Sequence, residues 1–294
     1  MTFVDAHLHV FSDDPARYPY DGRWGMIPTE PTPVEELIAC MDANGVDKAV
    51  MVQGAAYLYD NRYMADCRAR FPDRLAAVAL LDPRAPGAAD RLEELWERDR
   101  IQGFRLYPIR DKDASWLHEA SQNAVWARAG KLGVPLIAFI GMSQLPHLGR
   151  IAERHPETAV LIDHLGQPDR APDWVEHPTR CKSGIERGPL PEQPEPSLRE
   201  LLDLARLPNV SVKVSATPPW GRETRPDPRV APLMRRVYEA FGAHRLLWSC
   251  GLPRRDPSVY AQGIALMESA TPYLSHEERA LVMGATAMKL YRFE

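Results

Sequence analysis

The run Val4-Asp5-Ala6-His7-Leu8-His9-Val10-Phe11 sets two histidines one residue apart in an apolar stretch near the start of the chain. In a strand, alternation sends His7 and His9 to the same face. Two imidazoles on one face, at the end of a buried strand, make half of a metal or polar-substrate site. Such a spacing arises easily by accident, so its chemistry depends on what the rest of the chain brings beside it.

Composition sets the frame for that question. The 294 residues are 45% hydrophobic and 26% charged, the balance of a globular protein with a sizeable core, read here as one domain over 1–294. A formal net charge of -4 without a basic cluster argues against nucleic acid as a partner. No apolar run reaches the length of a membrane span, so no membrane partner is expected. The chain passes straight from Met1-Thr2 into a strand-like run, which argues against a secretory leader. Cys40, Cys67, Cys181 and Cys250 lie far apart and form no C-x-x-C pair, the pattern of reduced thiols in a cytoplasmic protein.

The elements that must position the histidines follow from the hydrophobic pattern. After the first strand comes a polar and aromatic loop over 12–31. A helix then opens with Thr32 as N-cap, Pro33 in the first turn and Glu35 closing a capping box, and Asn44-Gly45 ends it. Short, nearly continuous apolar runs at 49–53, 75–81, 103–106, 135–140, 159–164, 210–214 and 245–248 read as strands buried on both faces. Helical patterns at 62–71, 88–98, 123–132, 143–154, 197–204 and 230–241 separate them, and two more helices close the chain. Eight strands alternating with helices in a chain of this length predict a (β/α)8 TIM barrel, with long proline-rich loops after strands six and seven. An open doubly wound sheet is the other candidate, but no Gly-x-Gly-x-x-Gly follows the first strand.

A barrel of this kind carries its active site at the C-terminal ends of the strands. His7, His9, Gln53, Arg105, His164 and Lys213 all fall there, as does the turn after Trp248. Three histidines, an arginine and a lysine around one mouth describe a pocket for a small anionic substrate. Tyr57, Tyr107 and Trp220 are placed to line its walls.

With the strand ends laid out, the chain resembles the amidohydrolase-related family (the amidohydrolase 2 branch), which includes pyrone-dicarboxylate and sugar-lactone hydrolases. The resemblance covers nearly the whole chain. It rests on Asp5-Ala6-His7-Leu8-His9, Tyr59-Asp60-Asn61-Arg62-Tyr63, Gly103-Phe104-Arg105-Leu106, Ile162-Asp163-His164-Leu165-Gly166, Val212-Lys213-Val214-Ser215 and Leu290-Tyr291-Arg292-Phe293. It implies a barrel and hydrolysis of a C–O bond in a small carboxylated lactone. It also implies that positions such as His7, His9 and His164 hold one divalent metal, zinc first, although the pyrone branch works without one. Three positions depart from the pattern. Gly251 stands where the family has its general-base aspartate, Gln167 where the pyrone lactonases have an arginine, and Thr286 where an asparagine is usual.

Each residue has a functional and a plain reading. His7, His9 and His164 are metal ligands or carbonyl-polarising catalytic groups, against satisfied core or loop histidines. Arg105 clamps a substrate carboxylate or closes a salt bridge in the barrel mouth. Lys213 points into the pocket or snorkels outward, and Gln53 and Tyr107 complete the substrate-binding set. Cys250 is a replacement nucleophile or an ordinary buried thiol. Asp256 reaches back to the site only through an unusual loop path. The expected activity is a lactone hydrolase with the histidines polarising the carbonyl. Because Gly251 removes the base, a lyase, decarboxylase or isomerase is the alternative, and a non-catalytic binding protein the third. A homodimer is the base-rate expectation for assembly.

Overall fold

The computed structural model describes residues 1–24, 27–111, 114–166, 198–215, 230–250 and 257–293. The expectations placed on Gln167, Cys181, Trp220, Gly251 and Asp256, and the interiors of the two long loops, lie outside the described residues.

Eight strands form one parallel sheet in the order β1 to β8. They are Val4–Leu8, Lys48–Val52, Leu75–Leu80, Gly103–Leu106, Leu136–Ala138, Val160–Ile162, Val210–Ser215 and Leu246–Ser249. The end of β8 returns to β1 through the Cys250 backbone N–H, which donates to the Asp5 carboxylate at 3.0 Å. The sheet therefore wraps into the (β/α)8 barrel the alternation predicts. Helices α1 (Val34–Ala43), α2 (Arg62–Arg70), α3 (Ala88–Asp99), α4 (Ala120–Leu132), α5 (Leu145–Arg154), α6 (Arg199–Asp203), α7 (Val230–Phe241) and α8 (Pro257–Ala270) join or follow the strands. The chain ends in α9 (His276–Ala280), a π-helical turn (Leu281–Ala285) and α10 (Thr286–Tyr291).

The Thr32 capping box does not form. Pro33 is the N-cap of α1 without a side-chain hydrogen bond. Thr32 instead exchanges both backbone hydrogen bonds with Phe11, which ties the 12–31 loop back onto the barrel mouth. That backbone pairing fixes Thr32 in place and takes it out of the cap.

Strand alternation sorts the side chains into two layers. Val4, Ala6, Val50, Val52, Ala76, Val78, Ile137, Leu161 and Leu247 fill the barrel interior together with Ala287 and Tyr291 of α10. The intervening residues, such as Phe104, Leu106, Val210, Val212, Val214 and Trp248, pack against the helices. Tyr291 is fully buried and closes the N-terminal end of the barrel. Gly284 makes this closure possible: a Cβ there would come within 1.9 Å of the Thr2 carbonyl oxygen. Thr286 is buried in this same plug, away from the mouth, so its departure from asparagine bears on packing.

Candidate active site

Two backbone irregularities put the histidines in place. Val4 and Ala6 already face the interior, so plain alternation would turn His7 and His9 toward the helices. Pairing with β2 slips by one residue between Asp5 and Leu8, from Asp5↔Ala49 to Leu8↔Met51. This bulge resets the phase and sends His7 and His9 inward. The freed His7 backbone N–H donates to the Asp5 carboxylate at 3.0 Å. At the end of β6, His164 and Leu165 adopt left-handed conformations, with φ of 50° and 58°. Their backbone strain re-aims His164, so that Asp163 and His164, adjacent in sequence, face one pocket.

Asp163 is the centre of the cluster. Arg105 donates from Nε to Asp163 Oδ2 at 2.8 Å, and its Nη2 lies at the same distance. Lys213 Nζ lies 3.0 Å from Oδ1, and His7 Nδ1 3.3 Å from the same oxygen. Burial raises the carboxyl pKa, but Lys213, then Arg105 and His7, outweigh it and hold Asp163 well below its ordinary range. Burial pushes Lys213 down to about 8, against the pull of Asp163.

The imidazoles are held neutral. Burial, with Lys213 next, lowers His7 well below its ordinary value. Burial and the Arg105 charge bring His9 to about 4. Burial brings His164 to about 3, with Asp163 opposing it. His9 Nδ1 lies 2.6 Å from the Val52 carbonyl oxygen, which can only accept. The ring proton therefore sits on Nδ1, and Nε2 is left as an acceptor 3.4 Å from His7 Nε2. The His7 and His164 rings lie 4.4 Å apart. His164 Nδ1 bonds the Ser215 hydroxyl, and Ser215 Oγ lies 2.9 Å from Ser249 Oγ. Each outer nitrogen is thus engaged by the scaffold, which fixes the ring orientation.

Among the described residues, His7, Asp163 and His164 could hold a metal ion, their donor atoms lying within 4.8 Å of one another. This differs from the expected set of His7, His9 and His164. His9 adjoins His7 but falls outside the convergent group, while Asp163 enters it because β6 turns its carboxylate inward. Both Asp163 oxygens already face cations, so the imidazoles are the donors better suited to a metal. Neutral rings have the lone pairs such an ion requires.

The substrate-binding expectations sort unevenly. Arg105 is 2% exposed, and the structure shows it in the internal salt bridge, with Nη1 donating to the Tyr107 hydroxyl at 2.7 Å. Gln53 donates from Nε2 to the Asp60 carbonyl at 2.6 Å, which braces the loop after β2. Tyr107 is half-buried and packs between Trp24 and Phe139, each at a centroid distance of 5.1 Å. Lys213 points inward, because Val210, Val212 and Val214 take the helix-facing side of β7. Cys250 faces outward, its Sγ 3.3 Å from where a Cβ on Gly263 of α8 would stand, and is an ordinary buried thiol.

Asp5, Ser215, Ser249 and the Trp24–Tyr107 pair were not singled out from the residues alone. Period-two counting would have found the two serines, since both share an inward face with Lys213 or Leu247. Asp5 accepts from the His7 and Cys250 backbone N–H groups and from the Tyr260 hydroxyl at 2.9 Å, joining β1, β8 and α8. Burial raises it to about 6 against those hydrogen bonds.

The model of a family described as amidohydrolase matches residues 4–293. The chain is 28% identical to an L-fucono-1,5-lactonase from Burkholderia ambifaria, over 100% of this chain and 97% of that protein. Its fold matches a Pseudomonas putida structure described as a 2-pyrone-4,6-dicarboxylic acid hydrolase, with a TM-score of 0.76 and 23% identity, covering 100% and 98% of the two chains. A zinc-bound amidohydrolase from Burkholderia multivorans is similar over the full length of both chains, with a TM-score of 0.73 and 22% identity.

Proposed function

This chain belongs to the amidohydrolase family, and on that premise we propose that it hydrolyses the ring ester of a small carboxylated lactone. The observation that carries the reading is the convergence of His7, His9 and His164, all neutral, beside the buried Asp163–Arg105–Lys213 ion cluster. His164, with Nδ1 accepting from the Ser215 hydroxyl, presents an Nε2–H that polarises the carbonyl and meets the developing oxyanion, while the His9 Nε2 lone pair suits a metal ion that would do the same. Arg105 and Lys213 outnumber the Asp163 carboxylate, so the site favours an extra negative charge. The L-fucono-1,5-lactonase relative, similar over the whole chain, supports a lactone as the substrate.

A divalent metal, zinc first, would be held by His7 and His164 with His9 beside them, and would supply Lewis-acid polarisation of the carbonyl. The zinc-bound relative supports this choice. Here Ser215 and the Val52 carbonyl hold His164 and His9 in orientation, and Asp163 holds His7. These contacts leave the Nε2 atoms to face the pocket.

Gly251 favours one other reading. A decarboxylase needs a proton donor and an electrophilic site, and no carboxylate base at that position. The test is hydrolysis of a panel of carboxylated lactones, followed with a pH indicator, by the wild type and Gly251→Asp in parallel. Turnover by the wild type supports the lactonase. Turnover by the variant alone, with loss of carbon dioxide from carboxylated substrates by the wild type, replaces it with the decarboxylase.

A further inference from the structure

Outside the barrel, the short 3-10 turn Ser115–His118 packs against α5 and brings together a second group of basic side chains. Two half-buried imidazoles meet there, with His118 Nε2 2.8 Å from His147 Nδ1. Arg150, one turn of α5 beyond His147, places Nη2 3.1 Å from His147 Nδ1 and 3.3 Å from His118 Nε2. Arg154 follows one more turn along the same face. The proposed hydrolysis uses none of these groups.

The distances order the protons. A guanidinium only donates, so His147 Nδ1, the ring nitrogen nearest Arg150, is the acceptor, and His118 Nε2 carries the proton between the rings. The neutral His147 ring then carries its own proton on Nε2. That N–H, Arg150 Nη1 and the whole Arg154 guanidinium are donors without an acceptor among the described residues.

No acid offsets this group. Burial, then the Arg150, His147 and Arg154 charges, lower the His118 pKa, and no carboxylate opposes them. The acids on the neighbouring elements are engaged elsewhere: Glu153 with Arg206 at 2.7 Å, Glu157 with His155 at 3.2 Å, and Asp111 facing Arg84 at 3.7 Å. Glu119 is exposed and enters no ion pair among the described residues. A divalent cation is a poor occupant, because Arg150 reaches both facing ring nitrogens and would repel it.

We propose that His118, His147, Arg150 and Arg154 form a binding site for a phosphate group, separate from the histidines of the barrel mouth. Two guanidinium charges match an anion that carries about two charges at neutral pH. The donors come from the 3-10 turn and from two successive turns of α5. They suit a tetrahedral group with several acceptor oxygens better than a planar carboxylate, which one guanidinium fork satisfies. The assignment is independent of the lactonase reading.

The experiment follows the His118 and His147 ring C–H resonances by NMR at pH 7 and constant chloride. These are assigned from His118→Gln and His147→Gln. Inorganic phosphate and methyl phosphate are added separately, and each should give a saturable shift of both rings. Tighter inorganic phosphate marks the free ion as the ligand, tighter methyl phosphate an ester, and either supports the site. Losing a charge-assisted contact in Arg150→Gln should weaken Kd about 10- to 100-fold. No saturable shift, equal Kd in Arg150→Gln, or acetate binding as tightly as phosphate overturns the proposal. So does zinc alone shifting the two rings while phosphate is silent, which would make the pair a metal site.

Discussion

Lys213 and Asp163 meet at 3.0 Å inside the barrel, with both side chains fully buried. Arg105 closes on the other carboxylate oxygen, so one acid is shared by two cations beneath the histidines. Such an arrangement tolerates the loss of no single partner.

Replacing Asp163 with asparagine would leave Arg105 and Lys213 buried without their counter-charge. The expected loss is about 3–5 kcal/mol of stability, read by urea denaturation. Activity should fall even under conditions where the variant is folded, because His7 loses its anchor. A variant as stable as wild type would mean that the cluster is hydrated and not a dry ion triad.

Acid should destabilise the fold through its buried histidines. His9 at about 4, His164 at about 3 and His7, held well below its ordinary value, bind fewer protons in the folded than in the unfolded chain, whose histidines titrate near 6.5. Stability therefore rises with pH through the window from about 4 to 6.5, and falls on acidification through it. Asp5, raised to about 6, opposes this over part of the range, but one group acts against three. Denaturant midpoints at pH 7 and pH 5 check the sign. His164→Asn should flatten the difference.

Lys213, at about 8, adds a second window. The unfolded chain holds that proton up to about 10.5, so stability should rise as pH passes from about 8 toward 10.5 in this group's contribution. Lys213→Met should remove that slope from a stability titration.

Cys250→Ala should leave kcat within about twofold, since the thiol packs on α8 and not on the pocket. Its cost should be about 1–2 kcal/mol of stability for a small cavity. Loss of activity in a folded Cys250→Ala would restore the thiol as a candidate nucleophile.

Tyr291 tests the plug at the other end. Its hydroxyl has no hydrogen-bond partner among the described residues, so Tyr291→Phe should be neutral or slightly stabilising. Tyr291→Ala should cost about 3–5 kcal/mol, because the ring fills the barrel interior. Thermal midpoints of the two variants check both directions.

Much of this protein was legible in the residues. Runs such as Leu75–Leu80 and Val160–Ile162 are too apolar to be anything but strands covered on both sides, and their alternation with helices leaves few topologies. That alone predicts the barrel, its mouth, and the gathering of His7, His9, Arg105, His164 and Lys213 around one pocket. What each of those side chains does there was not legible. Whether Arg105 faces a substrate or Asp163 depends on how far β4 stands from β6. Whether Lys213 points inward depends on which side of β7 the valines occupy. The β1 bulge and the left-handed turn at His164 reverse simple alternation at the candidate site positions themselves; the bulge leaves no glycine as a signal, and at the turn the left-handed residues His164 and Leu165 precede Gly166. Pattern determines fold class because burial is periodic and averages over many residues. The site is decided by a few contacts between strands far apart in sequence, and only the closed tertiary structure brings those groups within hydrogen-bonding distance.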